Sequence, residues 1–388
     1  MRKKAYFKSV TIFLSILLVF SQLQLFSLPA YGETVSDQPL LFRSVGVAQS
    51  GTTYYVDGEG GNNANDGQSP ASAWRDFEKV NQTEFQPGDH LLLNAQSTWN
   101  NQLLHPKGNG TAAQKIVIDF YDTNDKGETI FETTRRPIIN GGGTYSTGTF
   151  KRAISGAVQL VNQEYWDISN LEVTNTPELD NLEGYKKPGD AQRAGILVLG
   201  YEQNRTFNSV TIRNNYVHDV QTEYYLNLSG NTATKRLKAV GGIIVLGSWF
   251  DENGNVVTAA NDHRTTTGFN DILIENNVIQ RVGLEGIRTK ADSDTSRGNT
   301  FYKTFSNITI RNNYLEDIAG DGIVLSEAKS GGVVEGNVAV RMCNADYGTQ
   351  NYAGVWAMSV DDGLFQYNEV YGIKYGFNDA EAYDVDMQ

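Results

Sequence analysis

The sequence predicts an all-β fold, a solenoid of the parallel β-helix type, and three observations predict it. A short phrase recurs: SVTIRNNYVHDV from Ser209, DILIENNVIQRV from Asp271, SNITIRNNYLEDI from Ser306, GVVEGNVAVRM from Gly332 and GLFQYNEVYGI from Gly363. A companion strand accompanies it, as AGILVLG from Ala194, GGIIVLG from Gly241, EGIRTK from Glu285, DGIVLS from Asp321 and AGVWAM from Ala353. The second asparagine of the phrase, or its equivalent, falls at Asn215, Asn277, Asn313, Asn337 and Asn368, with spacings of 62, 36, 24 and 31 residues.

A repeat this short has too little apolar surface to fold alone and must stack on its neighbours. The shortest spacing sets one coil at about two dozen residues, and coils rise by about 4.8 Å. The longer spacings are then coils carrying inserted loops, at Thr176 to Arg193, Gln221 to Lys238, Trp249 to Thr267 and Ala291 to Thr304, which are the candidate substrate walls. Asparagine suits the corner between two strands of a coil. It tolerates left-handed geometry, and its amide satisfies backbone groups that cost about 1–3 kcal/mol each if buried unpaired. Stacked coil on coil, the five asparagines are expected to form a structural ladder.

Residues 1–32 read as a signal peptide. Arg2, Lys3, Lys4 and Lys8 give a basic start, Ile12 to Phe20 an apolar run too short to span a membrane, and Ala30-Tyr31-Gly32 a small-x-small cleavage site. The mature chain is therefore expected outside the cell and off the membrane. Residues 33–50 show no periodicity and read as a loose leader, and 51–388 as the β-helix, with further coils expected beyond Gln388. The full chain carries 32 basic and 45 acidic residues, net −13; without the signal it is 28 against 45, net −17. Such a charge excludes general binding to nucleic acid or acidic membranes. A single cysteine, Cys343, excludes an intramolecular disulfide and sits where a buried inert thiol is expected.

At the start of the domain, Tyr54 to Val56 reads as a strand and Asp57 to Pro70 as a Gly/Asn/Asp loop. Ala64 stands where a calcium loop needs an oxygen ligand, so Asx turns are expected. Ser72 is the expected cap of a short helix, AWRDFEKVN, which presents Trp74, Phe77 and Val80 on one side and serves as a lid over the first coil. The stretches PGDHLLLN, TWNNQLLHPKG and KIVIDFY supply the early coils.

YYVDGEGGNNANDGQSPASAW, KVN, PGDHLLL and LHPKGNGT, together with the later repeats, resemble secreted right-handed parallel β-helix proteins of the pectate-lyase-like superfamily over nearly the whole mature chain. The resemblance implies a right-handed solenoid with a carbohydrate-handling groove. It does not choose a reaction, because polysaccharide lyases, glycoside hydrolases, epimerases and adhesins share the fold.

Strand parity locates the candidate groove. If Ile196, Ile243, Ile287, Ile323, Val355 and Phe377 point inward, then Leu197, Ile244, Arg288, Val324, Trp356 and Asn378 form one outward row. Leu199, Leu246, Lys290, Ser326 and Met358 form the next. Arg288 and Lys290, about 7 Å apart on one face, are candidates to hold a sugar carboxylate, and Lys290 also for a base. The alternative is a pair of strand charges answered by Glu285 or Asp321. GIRTK resembles the Arg-x-Lys strand of polygalacturonase-type hydrolases, where such residues bind substrate, but it precedes the acidic coils and the Gly-His-Gly segment of that family is missing.

Asp321, Asp361 and Asp362 are the candidate catalytic carboxylates, with Glu327 and Trp356 as candidate substrate contacts and Asp379, Glu381, Asp384 and Asp386 clustered further on. Glycoside hydrolysis needs two carboxyl groups about 5.5 Å apart for retention or 6.5–9.5 Å for inversion, and neighbouring coils supply either. Clustered acids beside Lys or Arg also suit a calcium-dependent lyase. His90, His105, His218 and His263 have no metal-ligand spacing. The expectation is an exported, monomeric enzyme that cleaves polysaccharide, with hydrolysis ahead of calcium-dependent elimination and a non-catalytic adhesin as the different-class alternative.

Overall fold

The computed structural model describes residues 41–48, 50–142, 154–176, 192–221, 241–247, 267–291, 293–294, 300–301, 303–344, 352–374 and 380–386. The signal segment, His263, Phe377, Asn378, Asp379 and most of the four expected insertions lie outside them.

One coil shows how the others are made. Thr206–Arg213 runs to a two-residue corner, Tyr216–Val220 follows, Gly241–Gly247 comes third, and Gly268–Glu275 returns to lie parallel on the first strand. Repetition builds three long sheets, of eleven, eight and seven strands among the described residues. Their main ladders are parallel and pair position for position: Ile212 with Ile274, Ile274 with Ile310, Val217 with Ile279, Ile243 with Ile287. The parallel β-helix expected from the repeats is the observed fold.

Period-two alternation decides what fills it. Inward members of each strand, such as Ile212, Ile274 and Ile310 from the first sheet, Val217, Ile279 and Leu315 from the second, and Ile196, Ile243 and Ile287 from the third, belong to one continuous buried cluster. Phe207, Phe269 and Phe305 stack along it with ring centroids 5.6 and 6.3 Å apart. On the third sheet the last strand is Glu381–Asp386, where Tyr383 pairs with Val355 and takes the inner column place expected of Phe377. Cys343 is buried and makes no disulfide.

The corner divides its work between two residues. Asn214, Asn276 and Asn312 take left-handed φ of 56°, 56° and 54°, and Gly336 and Tyr367 hold the same place later, at 63° and 55°. The second residue is the ladder. Asn215, Asn277, Asn313 and Asn337 are fully buried, and each amide oxygen accepts from the residue one coil back, beginning with Leu171 N to Asn215 Oδ1 at 3.0 Å. Asn368 closes the row, accepting from Asn337 N at 3.1 Å and from Asn337 Nδ2 at 2.9 Å. Each Nδ2 also donates to a strand carbonyl, at Ile168, Ile212, Ile274, Ile310 and Val334 in turn.

At the N-terminal end the helix is Phe77–Gln82, and its cap is Asp76, whose carboxylate accepts from Glu78 N. Ser72 instead ends a short 3-10 turn, Pro70–Ser72, capped by Ser69. Trp74 precedes the helix and stacks on Tyr54 at 5.0 Å. The cap lies later than expected because Asp76 accepts locally at the first helical turn while Ser72 spends its hydroxyl on Asp66. The Gly/Asn/Asp loop is built of Asx turns: Asp57, Asn62 and Asp66 accept from backbone amides two residues on. The described part of the expected leader is attached, with Phe42–Arg43 pairing antiparallel with Glu132–Thr133 and Val45 N donating to Asp119.

The outer face of the second sheet carries a charged cluster. His218 lies between two carboxylates, Nδ1 2.6 Å from Asp219 Oδ2 and Nε2 3.1 Å from Glu172 Oε1, and Arg281 also bonds Asp219. Burial opposes the imidazolium, but the hydrogen bonds and charges of Asp219 and Glu172 outweigh it and raise the pKa above its ordinary value. A group whose folded pKa is raised contributes stability that is complete below the unfolded pKa of about 6.5 and is lost as pH climbs through the folded value. His218→Gln is therefore expected to destabilise most at acid pH, the gap closing as pH rises. Urea midpoints of both proteins across that window check this, and a gap independent of pH would refute it.

Candidate functional site

The outer face of the third sheet shows how side chains far apart in sequence come together. Register places Gln159, Leu197, Ile244, Arg288, Val324, Trp356 and Asp384 in one outward column. Beside it, Val161, Leu199, Leu246 and Lys290 line up, and further along Ser326, Met358 and Asp386. The expected rows hold, except that Asp384 stands where Asn378 was expected, because the pairing strand starts later in the chain.

The column has three zones. Leu197, Leu199, Ile244 and Leu246 form a buried apolar cluster outside the solenoid core. Residues 177–191, 222–240 and 248–266 adjoin this sheet's strands in sequence. At the middle sits an ion cluster: Arg288 Nη1 is 3.1 Å from Glu285 Oε2 and 3.2 Å from Asp321 Oδ2, with all three side chains at most 1 % exposed. The guanidinium also lies 5.4 Å from the ring of Trp356. Burial opposes its charge, yet Glu285, Asp321 and Glu327 hold its pKa above the usual value. The third zone is acidic and open: Asp384 is half-buried and Asp386 exposed.

These positions revise the chemistry expected of the middle zone. Arg288 and Lys290 do emerge on one face, but they are 1 % and 7 % exposed, not open groove cations. A cation taken out of water needs an acidic partner. The pairing with Glu285 and Asp321, rather than a waiting substrate carboxylate, answers Arg288. Asp321 is also committed through Oδ1, which accepts from Ala353 N at 2.8 Å. Trp356 is 7 % exposed and serves as a floor beneath Arg288, not as an open sugar platform.

Glu327 is fully buried, with a left-handed φ of 53°. Its Oε2 accepts from Ala291 N at 3.1 Å while Oε1 has no hydrogen-bond partner among the described residues. Burial pushes its pKa up, against the opposing influence of Lys290, Ser326 and Arg288. Thr289 and Ser326 lock the two strands between, with Ser326 N donating to Thr289 Oγ1 at 2.8 Å and Thr289 Oγ1 to Ser326 O at 3.0 Å.

Asp361 and Asp362 are not brought to this cluster. They form the exposed turn between the strands Ala353–Met358 and Leu364–Gln366, where Asp361 meets Lys303 Nζ at 2.5 Å and Asp362 takes a left-handed φ of 54°. The turn chemistry of Asp-Asp-Gly accounts for them. Among the described residues, no group of three or more His, Cys, Asp or Glu side chains is placed to hold a metal ion. Parity reasoning alone could have found Asp384 and Asp386 had the start of the last strand been known.

No family model matches the chain. Among curated proteins it is 28% identical over 392 residues to a lacto-N-biosidase of Bifidobacterium longum subsp. longum, a match covering 88% of this chain and 24% of the relative. Among solved structures it is similar to the native and selenomethionine forms of the GH136 lacto-N-biosidase from Eubacterium ramulus. Their TM-scores are 0.62 and 0.61 at 24% identity, over 86% of this chain and 55% of theirs. The fold is a right-handed parallel β-helix. The chain thus spans about a quarter of the length of the curated relative and about half that of the solved ones. Among the described residues, no helix is long and apolar enough to cross a membrane.

Proposed function

We propose that this chain is the β-helix part of a glycoside hydrolase, and that it acts on a glycan bound at the acidic end of the third sheet's outer face. The observation that carries this is the register of the strand Glu381–Asp386. Asp384 pairs with Trp356 and Asp386 with Met358, so both carboxylates leave the same face of one strand. Alternate strand positions lie about 7 Å apart, inside the 6.5–9.5 Å that lets an inverting pair hold a water against the scissile bond. In this reading one carboxyl protonates the leaving oxygen and the other activates that water. Trp356 and the buried Glu285–Arg288–Asp321 cluster beneath hold the strand in place and do not touch substrate.

The similarity to lacto-N-biosidases supports hydrolysis over elimination and makes a lacto-N-bioside the first substrate to try. The acidic partners of Arg288 occupy its guanidinium, which counts against Arg288 as a cation for elimination. The apolar run and basic start of residues 1–32 support export, and we read the mature protein as a monomer.

The test follows reducing ends and unsaturated products from a glycan ending in a lacto-N-bioside unit, and from neutral and uronate glycans, with and without chelator. Wild type is expected to release reducing ends without unsaturation. Asp384→Asn and Asp386→Asn should each lose at least about 10²-fold in turnover with unchanged melting temperature. Two variants that keep full activity would remove these residues from the reaction; chelator-sensitive unsaturation would replace hydrolysis with elimination, and binding with neither product would leave an adhesin.

A further inference from the structure

A cleft of about 640 Å³ opens on the outer face of the second sheet, away from the sheet that carries Asp384, and Phe42, Gln96, Arg135, Arg136, Glu172 and Tyr216 line it. Its size falls within the roughly 300–1,000 Å³ of small-molecule sites. Separate parts of the chain build it. Phe42 comes from the short strand that pairs with Glu132–Thr133, which leads directly into Arg135 and Arg136. Glu172 and Tyr216 are register neighbours on the sheet itself.

The cleft is basic on an acidic chain, with two guanidiniums and one carboxylate lining it against a net charge of −13 overall. Arg136 is held in place: its guanidinium carbon lies 3.8 Å from the Phe42 ring centroid, and Nη1 donates to the Asn214 carbonyl. Burial pulls its pKa down to about 10, with the charges of Glu172 and Asp119 opposing the shift. Arg135 is exposed and has no side-chain partner among the described residues. Glu172 is engaged from behind by His218, 3.1 Å from its Oε1. A fixed, stacked guanidinium beside a second one presents the planar fork that carboxylates bind in bidentate fashion. Phe42 and Tyr216 line the cleft with rings already in contact with Arg136 and His218, and Gln96, whose Nε2 donates to Asp122 and Thr123, offers its amide oxygen to a sugar hydroxyl.

We propose that this cleft binds a carboxylate-bearing sugar, as found in an acidic glycan. The carboxylate follows from Arg135 and Arg136; the choice of a sugar rests on the carbohydrate reading of the chain. The test is calorimetric titration of the intact protein with a galacturonate trisaccharide, the matching neutral galactose trisaccharide, and citrate as a non-sugar carboxylate. The acidic trisaccharide is expected to bind, more weakly as salt is raised, with the neutral sugar at least about tenfold weaker, as befits loss of a charge-assisted bond, and citrate weaker as well because it keeps the carboxylate but lacks the sugar ring and its hydroxyl groups. Arg135→Gln and Arg136→Lys should each cut the acidic sugar's affinity by about tenfold at unchanged melting temperature.

Absence of binding, equal binding of neutral and acidic sugars, equal binding of citrate, or indifference to both substitutions would overturn the proposal. Because binding is read without turnover, a protein that hydrolyses glycans but ignores galacturonate loses this inference alone. One that binds galacturonate without hydrolysing anything loses only the proposed reaction.

Discussion

Asn313→Ala is expected to destabilise the protein by about 3–5 kcal/mol. The Asn313 amide oxygen accepts from both the backbone N and the Nδ2 of Asn277, at 3.0 Å each, and its own Nδ2 donates to Ile274 O and Asn337 Oδ1, also at 3.0 Å. Alanine leaves the Asn277 backbone N–H buried without its acceptor, at about 1–3 kcal/mol, and removes the second bonds made by Asn277 Nδ2 and by the Ile274 carbonyl. The ladder bonds above and below lose a partner as well. Asn368→Ala is the control, because that rung is half-buried and water can replace part of what is lost. Urea unfolding of both variants checks the claim, with the Asn313 variant expected to fall well below the Asn368 one. Equal losses would mean that the ladder is incidental to stability.

Arg288→Met is expected to cost a similar amount, about 3–5 kcal/mol, because it strands the buried Glu285 and Asp321 carboxylates without their cation. The desolvation of those acids, rather than the worth of the ion pairs, sets the size. Replacing a whole buried ion cluster by neutral groups of like shape is often close to neutral in stability. The triple variant Arg288→Met, Glu285→Gln, Asp321→Asn should therefore recover most of the loss, with the amide oxygen introduced at position 321 still able to accept from Ala353 N. Chemical denaturation of the single and triple variants decides it. A single variant within about 1 kcal/mol of wild type, or a triple no better than the single, would show that the cluster does not need its cation in the way described.

The solenoid was legible because its repeat is local. Each coil writes its own corner, NN, GN or YN, and its own alternating strand, so the asparagines could be aligned before any contact was known, and the structure bonds them rung to rung. Parity was equally readable, since a period of two leaves one choice of face per strand. The candidate site was legible only in part. The rows containing Arg288, Lys290 and Trp356 followed from parity, and Glu285 and Asp321 stood beside Arg288 as possible partners. The burial of all of these did not follow, because exposure on an outer face depends on what lies over it. Asp384 was named among the late acids but not placed in the outward row, because a strand whose register runs six positions later than expected leaves no mark in a repeat whose spacings already range from 24 to 62 residues.

Nearest-neighbour chemistry is written in the chain itself. The corner residues, the inward apolar positions, the Asx turns of the first loop and the order of strands in each coil depend on residues a few places apart, so the amino-acid sequence alone determined them. Three matters were left to the tertiary structure: which carboxylate answers Arg288, whether Trp356 meets solvent, and the joining of Phe42, Arg136 and Tyr216 in one cleft. Each depends on the dielectric and the distance between segments dozens to hundreds of residues apart. The electrostatic worth of a charge changes several-fold with its burial, and burial belongs to the assembled molecule.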